Sequence, residues 1–278
     1  MNLNTLRERL KPPCDVLDVH VHPLGTGAAS VETDARRILE AAGRAGITKM
    51  CIFLLHPESG AGSPLHDPAM RHCRDGNDYN LRMRDRAPEV FLPFCYVNPA
   101  CPEASVDEIN RCIVEERMCG IKLWVARRAT DAGLDPIMQR AVELDVPVLQ
   151  HAWDKTTGNL PGESFPQDVA HLARRHPGAK IIMAHLNGCG LRGIEHVADC
   201  PNLVADTGGG DPESGIVETA VDALGGRRVV FGSDLPVRLF GQCLGKTLGA
   251  DISEATRKDI LWNNAARLLP EWAGVKTL

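Results

Sequence analysis

The sequence of 278 residues lacks several features that would place it at once in a well-marked class of protein. Its ten cysteines include no Cys-x-x-Cys pair, which excludes a zinc ribbon and a thioredoxin-like redox site. No G-x-G-x-x-G motif follows the first predicted strand, so the dinucleotide-binding fingerprint is absent there. No window reaches the roughly 18 uncharged apolar residues of a transmembrane helix, so no membrane partner is expected.

Basic charge is also scarce. The net charge is -5 at pH 7 and no run of Lys and Arg occurs, which argues against a nucleic-acid partner. Residues 1–13 carry charges throughout and lack the apolar segment of a secretion signal. We therefore expect a cytoplasmic protein whose cysteines are reduced packing thiols.

Short apolar runs alternate with longer amphipathic ones, which is the pattern of a parallel sheet covered by helices. The runs predict eight strands, at Asp15–His22, Thr48–Leu55, Val90–Val97, Gly120–Val125, Pro147–His151, Lys180–His185, Asn202–Asp206 and Arg228–Ser233. This number and the chain length favour a (β/α)8 TIM barrel, a closed parallel sheet with outer helices, as one domain over residues 1–278. An open, doubly wound sheet is the competing architecture, because strand counting does not exclude it.

Helical periodicity and turn residues fill the segments between the strands. Helices are predicted at Ser30–Ala45, Asp78–Ala87, Ser105–Met118, Pro136–Leu144, Pro166–His176, Arg192–Ala198, Glu213–Leu224 and Ser253–Leu269. Gly46 is expected to end the first helix, and Asp251 with Glu254 to form a capping box before the last. The glycines of Gly208–Gly210 either turn the chain or offer amides to an anionic ligand. Two long loops, His56–Asp75 and Ala152–Phe165, are expected to build a substrate pocket.

Histidine and aspartate stand at the ends of several predicted strands. The first strand ends in Leu-Asp-Val-His-Val-His, and the period of two in a strand points His20 and His22 to the same side. His151, His185 and Asp234 end the fifth, sixth and eighth strands. Because all strands of a closed barrel open onto the same mouth, these groups are expected to meet around one metal ion.

With these motifs the chain resembles the amidohydrolase superfamily, and most closely its amidohydrolase 2 branch of aminocarboxymuconate-semialdehyde decarboxylase-like metal-dependent hydrolases. The resemblance runs almost from end to end. It depends on L-D-V-H-V-H at 17–22, G-I-K-L-W at 120–124, L-Q-H at 149–151, M-A-H-L-N-G at 183–188, F-G-S-D-L-P at 231–236 and N-N-A-A-R-L-L at 263–269.

The resemblance implies one divalent metal ion per chain, usually zinc, with four ligands: His20, His22, His151 and Asp234. It also implies that His185 lies beside the bound water or substrate. Neutral imidazoles and one carboxylate suit zinc, which lowers the pKa of bound water toward roughly 7. Asp234 is expected to accept the proton of that water and pass it to a leaving group, so Asp234 and His185 are the predicted catalytic residues.

Lys122 ends the fourth strand and leaves three alternatives open. A carbamylated Lys122 would bridge a second metal, an ammonium group would pair with a substrate carboxylate, and a structural ion pair would have no role in the chemistry. The predicted substrate-binding residues are Lys122, Trp124, Trp153 and Arg238. Arg127, Arg128 and Lys155 are expected either to add a positive rim to the pocket or to pair with neighbouring carboxylates.

The predicted function is hydrolysis of a small, acidic, carbonyl-containing substrate by zinc-activated water. The alternative is a lyase that uses the same metal for non-oxidative decarboxylation of a small carboxylated substrate. A third reading is a metal-binding barrel that has lost catalysis. A homodimer is the default assembly for such barrels, and no role is assigned to His56, His66 or His72.

Overall fold

A computed structural model describes residues 11–55, 66–210 and 213–278. Eight strands form one sheet in which each pairs in parallel with the next along the chain. They are β1 (Leu17–Val21), β2 (Lys49–Ile52), β3 (Phe91–Tyr96), β4 (Gly120–Leu123), β5 (Val148–Gln150), β6 (Ile181–Met183), β7 (Leu203–Asp206) and β8 (Val229–Val230). Each lies within the range predicted for it.

Backbone hydrogen bonds between the first strand and the segment that begins with β8 close the sheet. The amide of Val19 donates to the carbonyl of Phe231 at 3.0 Å, and the amide of His22 donates to that of Leu235 at 2.7 Å. The (β/α)8 barrel is thereby confirmed, and the open sheet was the wrong alternative. Among the described residues, no helix combines the length and apolar character needed to cross a membrane.

Ten α-helices surround the barrel in the described part of the chain. They are α1 (Val31–Ala45), α2 (Met70–Arg86), α3 (Pro102–Ile109), α4 (Asp135–Glu143), α5 (Pro166–Arg175), α6 (Leu186–Val197), α7 (Ile216–Leu224), α8 (Phe240–Gly249), α9 (Glu254–Lys258) and α10 (Asn264–Leu268). Short π-helical segments, Asn110–Glu115 and Asp259–Asn263, continue α3 and join α9 to α10. Single 3-10 turns occur at Gly25–Gly27, Ala132–Leu134, Gly226–Arg228 and Glu271–Ala273.

Several helix limits differ from the sequence predictions. Gly46 ends α1 with a φ of 78°, as predicted. Helix α2 begins eight residues before the predicted start at Asp78, and α8 was not predicted, because glycines within both helices weaken the helical signal. The expected capping box at Asp251 was wrong: the side chain of Ser253 accepts the amide of Thr256 and caps α9.

The barrel interior is filled by a cluster of buried apolar side chains to which seven of the eight strands contribute, together with Cys119 just before β4. Trp262, Ala265 and Leu269 belong to the same cluster and close its amino-terminal end. A side chain at Gly120 would lie 2.6 Å from the ring of Phe94, so glycine is needed there. A second apolar cluster lies between the strands and the helices.

Candidate active site

The candidate site lies at the carboxyl-terminal mouth of the barrel, where three side chains come together. His20 and His22 come from the end of β1, and Asp234 follows β8. Oδ1 of Asp234 lies 3.3 Å from Nε2 of His20 and 3.4 Å from Nε2 of His22. The three potential ligand atoms all lie within 4.8 Å of one another.

Hydrogen bonds on the far side of each ring determine which nitrogen faces this cluster. Nδ1 of His20 lies 2.8 Å from Oδ2 of Asp206, and Nδ1 of His22 lies 3.1 Å from the carbonyl oxygen of Phe53. Both partners are acceptors, so we assign the ring proton to Nδ1 in each case. Nε2 of each neutral ring therefore presents a lone pair to Asp234.

This arrangement fits a divalent cation. Burial, followed by the charge of Lys122, holds the pKa of His20 well below its ordinary value, so its imidazole is neutral. Burial alone would raise the pKa of Asp234, but His20 and His22 outweigh it and hold that pKa below its ordinary value. Acceptor atoms thus face one another without a proton between them, and a shared cation removes the repulsion. Two imidazoles and a carboxylate suit zinc and similar metals.

His151 and His185 lie beside this cluster and face each other. Nε2 of His185 lies 3.1 Å from Nδ1 of His151, and Nδ1 of His185 lies 3.7 Å from Oδ2 of Asp234. His151 stands outside the group of three, and its Nε2 lies 2.8 Å from Oε1 of Glu163. Of the four predicted ligands, the structure therefore gathers three and places the fourth next to His185.

Backbone strain is concentrated at the same place. Only four non-glycine residues in the described chain have a positive φ, and two of them are His185 at 70° and Asp234 at 64°. The amide of His185 donates to Oδ1 of Asp206 at 3.1 Å, and the amide of Asp234 donates to the carbonyl of His20 at 2.8 Å. These bonds hold both residues in a conformation that aims them at the pocket.

The glycines after β7 make room for this geometry. A side chain at Gly209, where φ is 62°, would lie 2.0 Å from Nδ1 of His185. The amide of Gly208 donates to Oδ1 of Asp206 at 2.7 Å. The segment Gly208–Gly210 therefore turns the chain and packs against His185, and the Gly208 amide is engaged within the protein.

Lys122 is fully buried on β4 at the floor of the site. Its Nζ lies 3.4 Å from Nε2 of His20 and 4.6 Å above the ring of Phe53. Burial lowers the pKa of Lys122 to about 7, although Asp234 and Asp206 act in the opposite direction. Among the described residues, His20, His22 and Asp234 form the only cluster of three or more potential metal-binding side chains.

A pocket of roughly 230 Å³ opens above these residues. Its walls are mostly apolar, and its lining comprises His22, Pro23, Leu24, Leu55, Lys122, Trp124, His151, Trp153, His185, Asp234, Pro236 and Val237. Trp124 and Trp153 thus lie where the sequence placed them. Arg238 does not line it, and its Nε donates to the carbonyl of Gly210 at 2.7 Å.

The other cations expected at the rim pair with carboxylates. Arg128 forms a bidentate pair with Asp168, with its shortest contact at 2.6 Å. Arg127 lies 3.1 Å from Asp67, and Lys155 lies 2.7 Å from Glu163. Among the described cationic side chains, Lys122 is therefore the only one that lines the pocket.

Two acidic groups support the site without lining the pocket. Asp206, at the end of β7, was identifiable because it ends a strand as the metal-binding candidates do. Glu163 gave no such signal, because it stands in a loop among Gly, Ser and Pro. Of the unassigned histidines, His66 packs edge-on against Trp124 with ring centroids 5.6 Å apart, His72 lies in α2, and His56 is outside the described residues.

Comparison with known proteins gives one family. The chain matches the amidohydrolase family over residues 17–270. Over 232 residues it is 25% identical to 2-amino-3-carboxymuconate-6-semialdehyde decarboxylase of Dictyostelium discoideum, an alignment that covers 69% of this chain and 65% of that protein. The chain thus spans just under two thirds of the length of this relative.

Two solved decarboxylase structures share the fold. The 2,6-dihydroxybenzoate decarboxylase from Rhizobium is 18% identical, with a TM-score of 0.70 over 91% of this chain and 98% of that one. A dihydroxybenzoic acid decarboxylase from Polaromonas sp. JS666 is 20% identical, with a TM-score of 0.68 over 91% of this chain and 96% of that one. The Polaromonas structure contains manganese and the inhibitor 2-nitroresorcinol.

Proposed function

This chain belongs to the amidohydrolase family, and we propose that it is a metal-dependent decarboxylase of a small, flat carboxylic acid. The sequence motifs alone place hydrolysis first, whereas the relatives named above are decarboxylases and favour the alternative. The observation that carries the proposal is the pocket itself. The pocket lies above the His20–His22–Asp234 cluster, and its lining includes the buried Lys122 and two tryptophans.

The proposed ligands of the ion are His20, His22, His151 and Asp234. When bound, a divalent ion supplies a Lewis acid that polarises the oxygens of a bound carboxylate. Zinc is our proposal for this chain from its imidazole-rich donor set. Manganese is the alternative, since the Polaromonas enzyme contains it.

Lys122 is the proposed partner for the negative charge of the substrate. Its amino group is fully buried at the floor of the pocket, and an anionic substrate beside it would favour the protonated form, because low dielectric strengthens the attraction between the two charges. Among the described residues, no arginine lines the pocket. This single cation favours a substrate with one carboxylate over one with two.

The reaction needs one proton at the carbon that loses its carboxylate. The C–C bond breaks, carbon dioxide leaves, and the bonding electrons take up the proton. His185 and Asp234 both line the pocket, and Nδ1 of His185 is buried without a hydrogen-bond partner among the described residues. We assign these two side chains to hold and deliver this proton.

The apolar walls favour the same chemistry. The Trp153 and His185 ring centroids lie 4.7 Å apart, and Trp124 lines the same pocket next to His66. Aromatic walls bind a flat, unsaturated substrate and exclude water. A negatively charged carboxylate that leaves as neutral carbon dioxide is favoured in such surroundings.

The test is turnover by the metal-loaded protein of a panel of hydroxybenzoates, matched dicarboxylates, lactones and amides. We expect release of carbon dioxide from at least one monocarboxylate and no hydrolysis. Asp234→Asn keeps one ligating oxygen and is expected to lose at least ~100-fold in kcat. Hydrolysis of lactones or amides without any decarboxylation would refute the proposal.

A further inference from the structure

The loop that follows β5, residues 152–165, returns a carboxylate to the histidine that precedes it. Glu163 stands twelve residues after His151, yet its Oε1 lies 2.8 Å from Nε2 of that ring. The side chain of Glu163 is 1% exposed. A buried carboxylate in this position is a costly feature, which calls for a structural or functional reason.

Glu163 is held in place by three hydrogen bonds from two groups of its own loop. Nζ of Lys155 donates to both oxygens, at 2.7 and 2.8 Å, and the amide of Leu160 donates to Oε2 at 2.7 Å. Both carboxylate oxygens thus accept hydrogen bonds, and the ammonium group of Lys155 contacts each of them. Glu163 is therefore ionised and can only accept hydrogen bonds.

The loop itself is fixed to the barrel. At Gly162, with a φ of 78°, a side chain would lie 2.1 Å from the carbonyl oxygen of Val125, so the two backbones are in close contact. The amide of Trp153 donates to the carbonyl of Ser164 at 3.0 Å. The side chain of Asn159 donates to the carbonyl of Trp153 at 2.7 Å. The carboxylate of Glu163 is thus a fixed point on a packed loop.

A fixed acceptor at Nε2 determines the protonation pattern of the His151 ring. Nε2 must carry the proton that Glu163 accepts, so Nδ1 of the neutral ring keeps its lone pair. This is the opposite of His20 and His22, whose Nδ1 atoms face Asp206 and the Phe53 carbonyl. Nδ1 of His151 faces His185 on the pocket side.

We propose that Glu163 is a positioning residue that holds His151 with Nε2 protonated and presents Nδ1 to the metal ion. The inference builds on the proposed role of His151 as a ligand. Residues that orient a metal-binding histidine in this way contribute about ten- to a hundredfold to metal affinity. The loop that carries Trp153 into the pocket thereby also sets the geometry of the metal site.

The test uses the full-length zinc-loaded protein and two variants, Glu163→Gln and Glu163→Ala. We expect chelator competition to give zinc affinities about ten- to a hundredfold weaker for the alanine variant and intermediate for the glutamine variant. Asp168→Asn is the matched control, because Asp168 is also a buried, ion-paired carboxylate but its partner is Arg128 and not a histidine. Its zinc affinity is expected to stay within about fivefold of the wild type.

A spectroscopic readout separates positioning from a general loss of structure. In ¹⁵N-histidine-labelled wild-type protein, the His151 resonances are expected to show a protonated Nε2, and those of His20 and His22 a protonated Nδ1. Glu163→Ala is expected to remove or shift the Nε2 proton signal of His151 alone, and Glu163→Gln to restore part of it. An unchanged His151 signal together with unchanged zinc affinity in both variants would overturn the proposal.

Failure of the proposed ligand set gives a different result. If His151→Ala binds zinc as tightly as the wild type, His151 is not a ligand, and the proposed metal site is wrong in that respect. Glu163 would then have no ligand to position, which would also overturn the inference. If His151→Ala weakens zinc binding and the Glu163 variants do not, only the role of Glu163 is refuted.

Discussion

The two ends of the barrel interior are equally buried but differ in chemistry. The amino-terminal half is filled by apolar side chains such as Leu17, Phe94 and Ile182, closed from below by Trp262. The carboxyl-terminal half holds Lys122 and a group of histidines and aspartates, most of them under 10% exposed. Burial of apolar side chains in the amino-terminal half stabilises the fold, whereas burial of polar groups in the carboxyl-terminal half is unfavourable.

Strained backbone and buried polar groups are concentrated in the carboxyl-terminal half. His185 and Asp234 have left-handed backbone conformations, and Nδ1 of His185 has no hydrogen-bond partner in the described part of the chain. Such strain persists only where the surrounding structure enforces it, and it is typical of functional sites. We therefore expect stability to depend on the amino-terminal half of the barrel interior and chemistry on the carboxyl-terminal half. A substitution can then perturb one without the other.

The largest effect is expected from His20→Ala, which removes a proposed ligand but leaves the apolar interior intact. We expect metal content of the purified protein to fall to near zero while the far-ultraviolet circular dichroism spectrum is retained. Metal analysis measures the metal content, and thermal unfolding shows whether the variant is folded. His171→Ala, on the exposed face of α5, is the matched control and should keep its metal. A His20→Ala protein that fails to fold would show that the fold depends on the ion.

The next largest effect is expected from a substitution in the amino-terminal half of the barrel interior. Phe94→Ala empties a fully buried position in the barrel interior, and we expect the free energy of unfolding to fall by about 3–5 kcal/mol. The folded variant should still bind one ion per chain, since Phe94 packs against Phe53, and it is Phe53 that contacts His20 and His22. Urea denaturation and metal analysis test both points. Val114→Ala, at a side chain 45% exposed, should change the unfolding free energy by less than about 0.5 kcal/mol.

The sequence predicts the strands and the three gathered side chains well because both depend on short-range patterns. A residue at the carboxyl end of a strand lies at the mouth of the barrel regardless of the loop conformation, so His20, His22 and Asp234 were identifiable. The directions of Arg238 and Arg128 were not, because each is set by a partner in another segment: the Gly210 carbonyl and Asp168.

Contacts made by irregular backbone were beyond prediction for the same reason. Glu163 reaches His151 only because residues 152–165 fold back, and no periodic pattern encodes that path. Helix α8 was missed because three glycines, Gly241, Gly245 and Gly249, lower its helix propensity, and tertiary packing of residues such as Phe240 overrides it.

A smaller effect is expected at the wall of the pocket, in the carboxyl-terminal half of the barrel. Trp153→Ala removes an aromatic face next to His185 without touching the three gathered ligands. We expect KM for the substrate to rise about tenfold, the loss of roughly 1.4 kcal/mol of binding, with a smaller change in kcat. Steady-state kinetics measure the split. Trp272→Ala, at the amino-terminal end, is the control, and a larger loss in kcat than in KM would assign Trp153 to the chemistry instead.

The smallest effect tests whether buried charge outside the barrel interior stabilises the fold. Glu108 on α3 is 6% exposed and accepts hydrogen bonds from Arg111 at 2.6 and 3.0 Å and from Asn77 at 2.9 Å. Burial alone would raise the pKa of Glu108, but Arg111 and Asn77 outweigh it and hold the pKa below its ordinary value. A lowered pKa in the folded state means that ionised Glu108 stabilises the fold above the unfolded pKa, and that this contribution disappears as pH falls through the folded value.

Glu108→Gln should therefore cost about 1 kcal/mol of unfolding free energy at pH 7 and progressively less below the unfolded pKa. Urea denaturation at a series of pH values measures the difference between variant and wild type, with Glu143→Gln, an exposed partner of Arg140, as control. A difference that stays constant with pH would show that the shape of Glu108, and not its charge, is what this part of the fold requires.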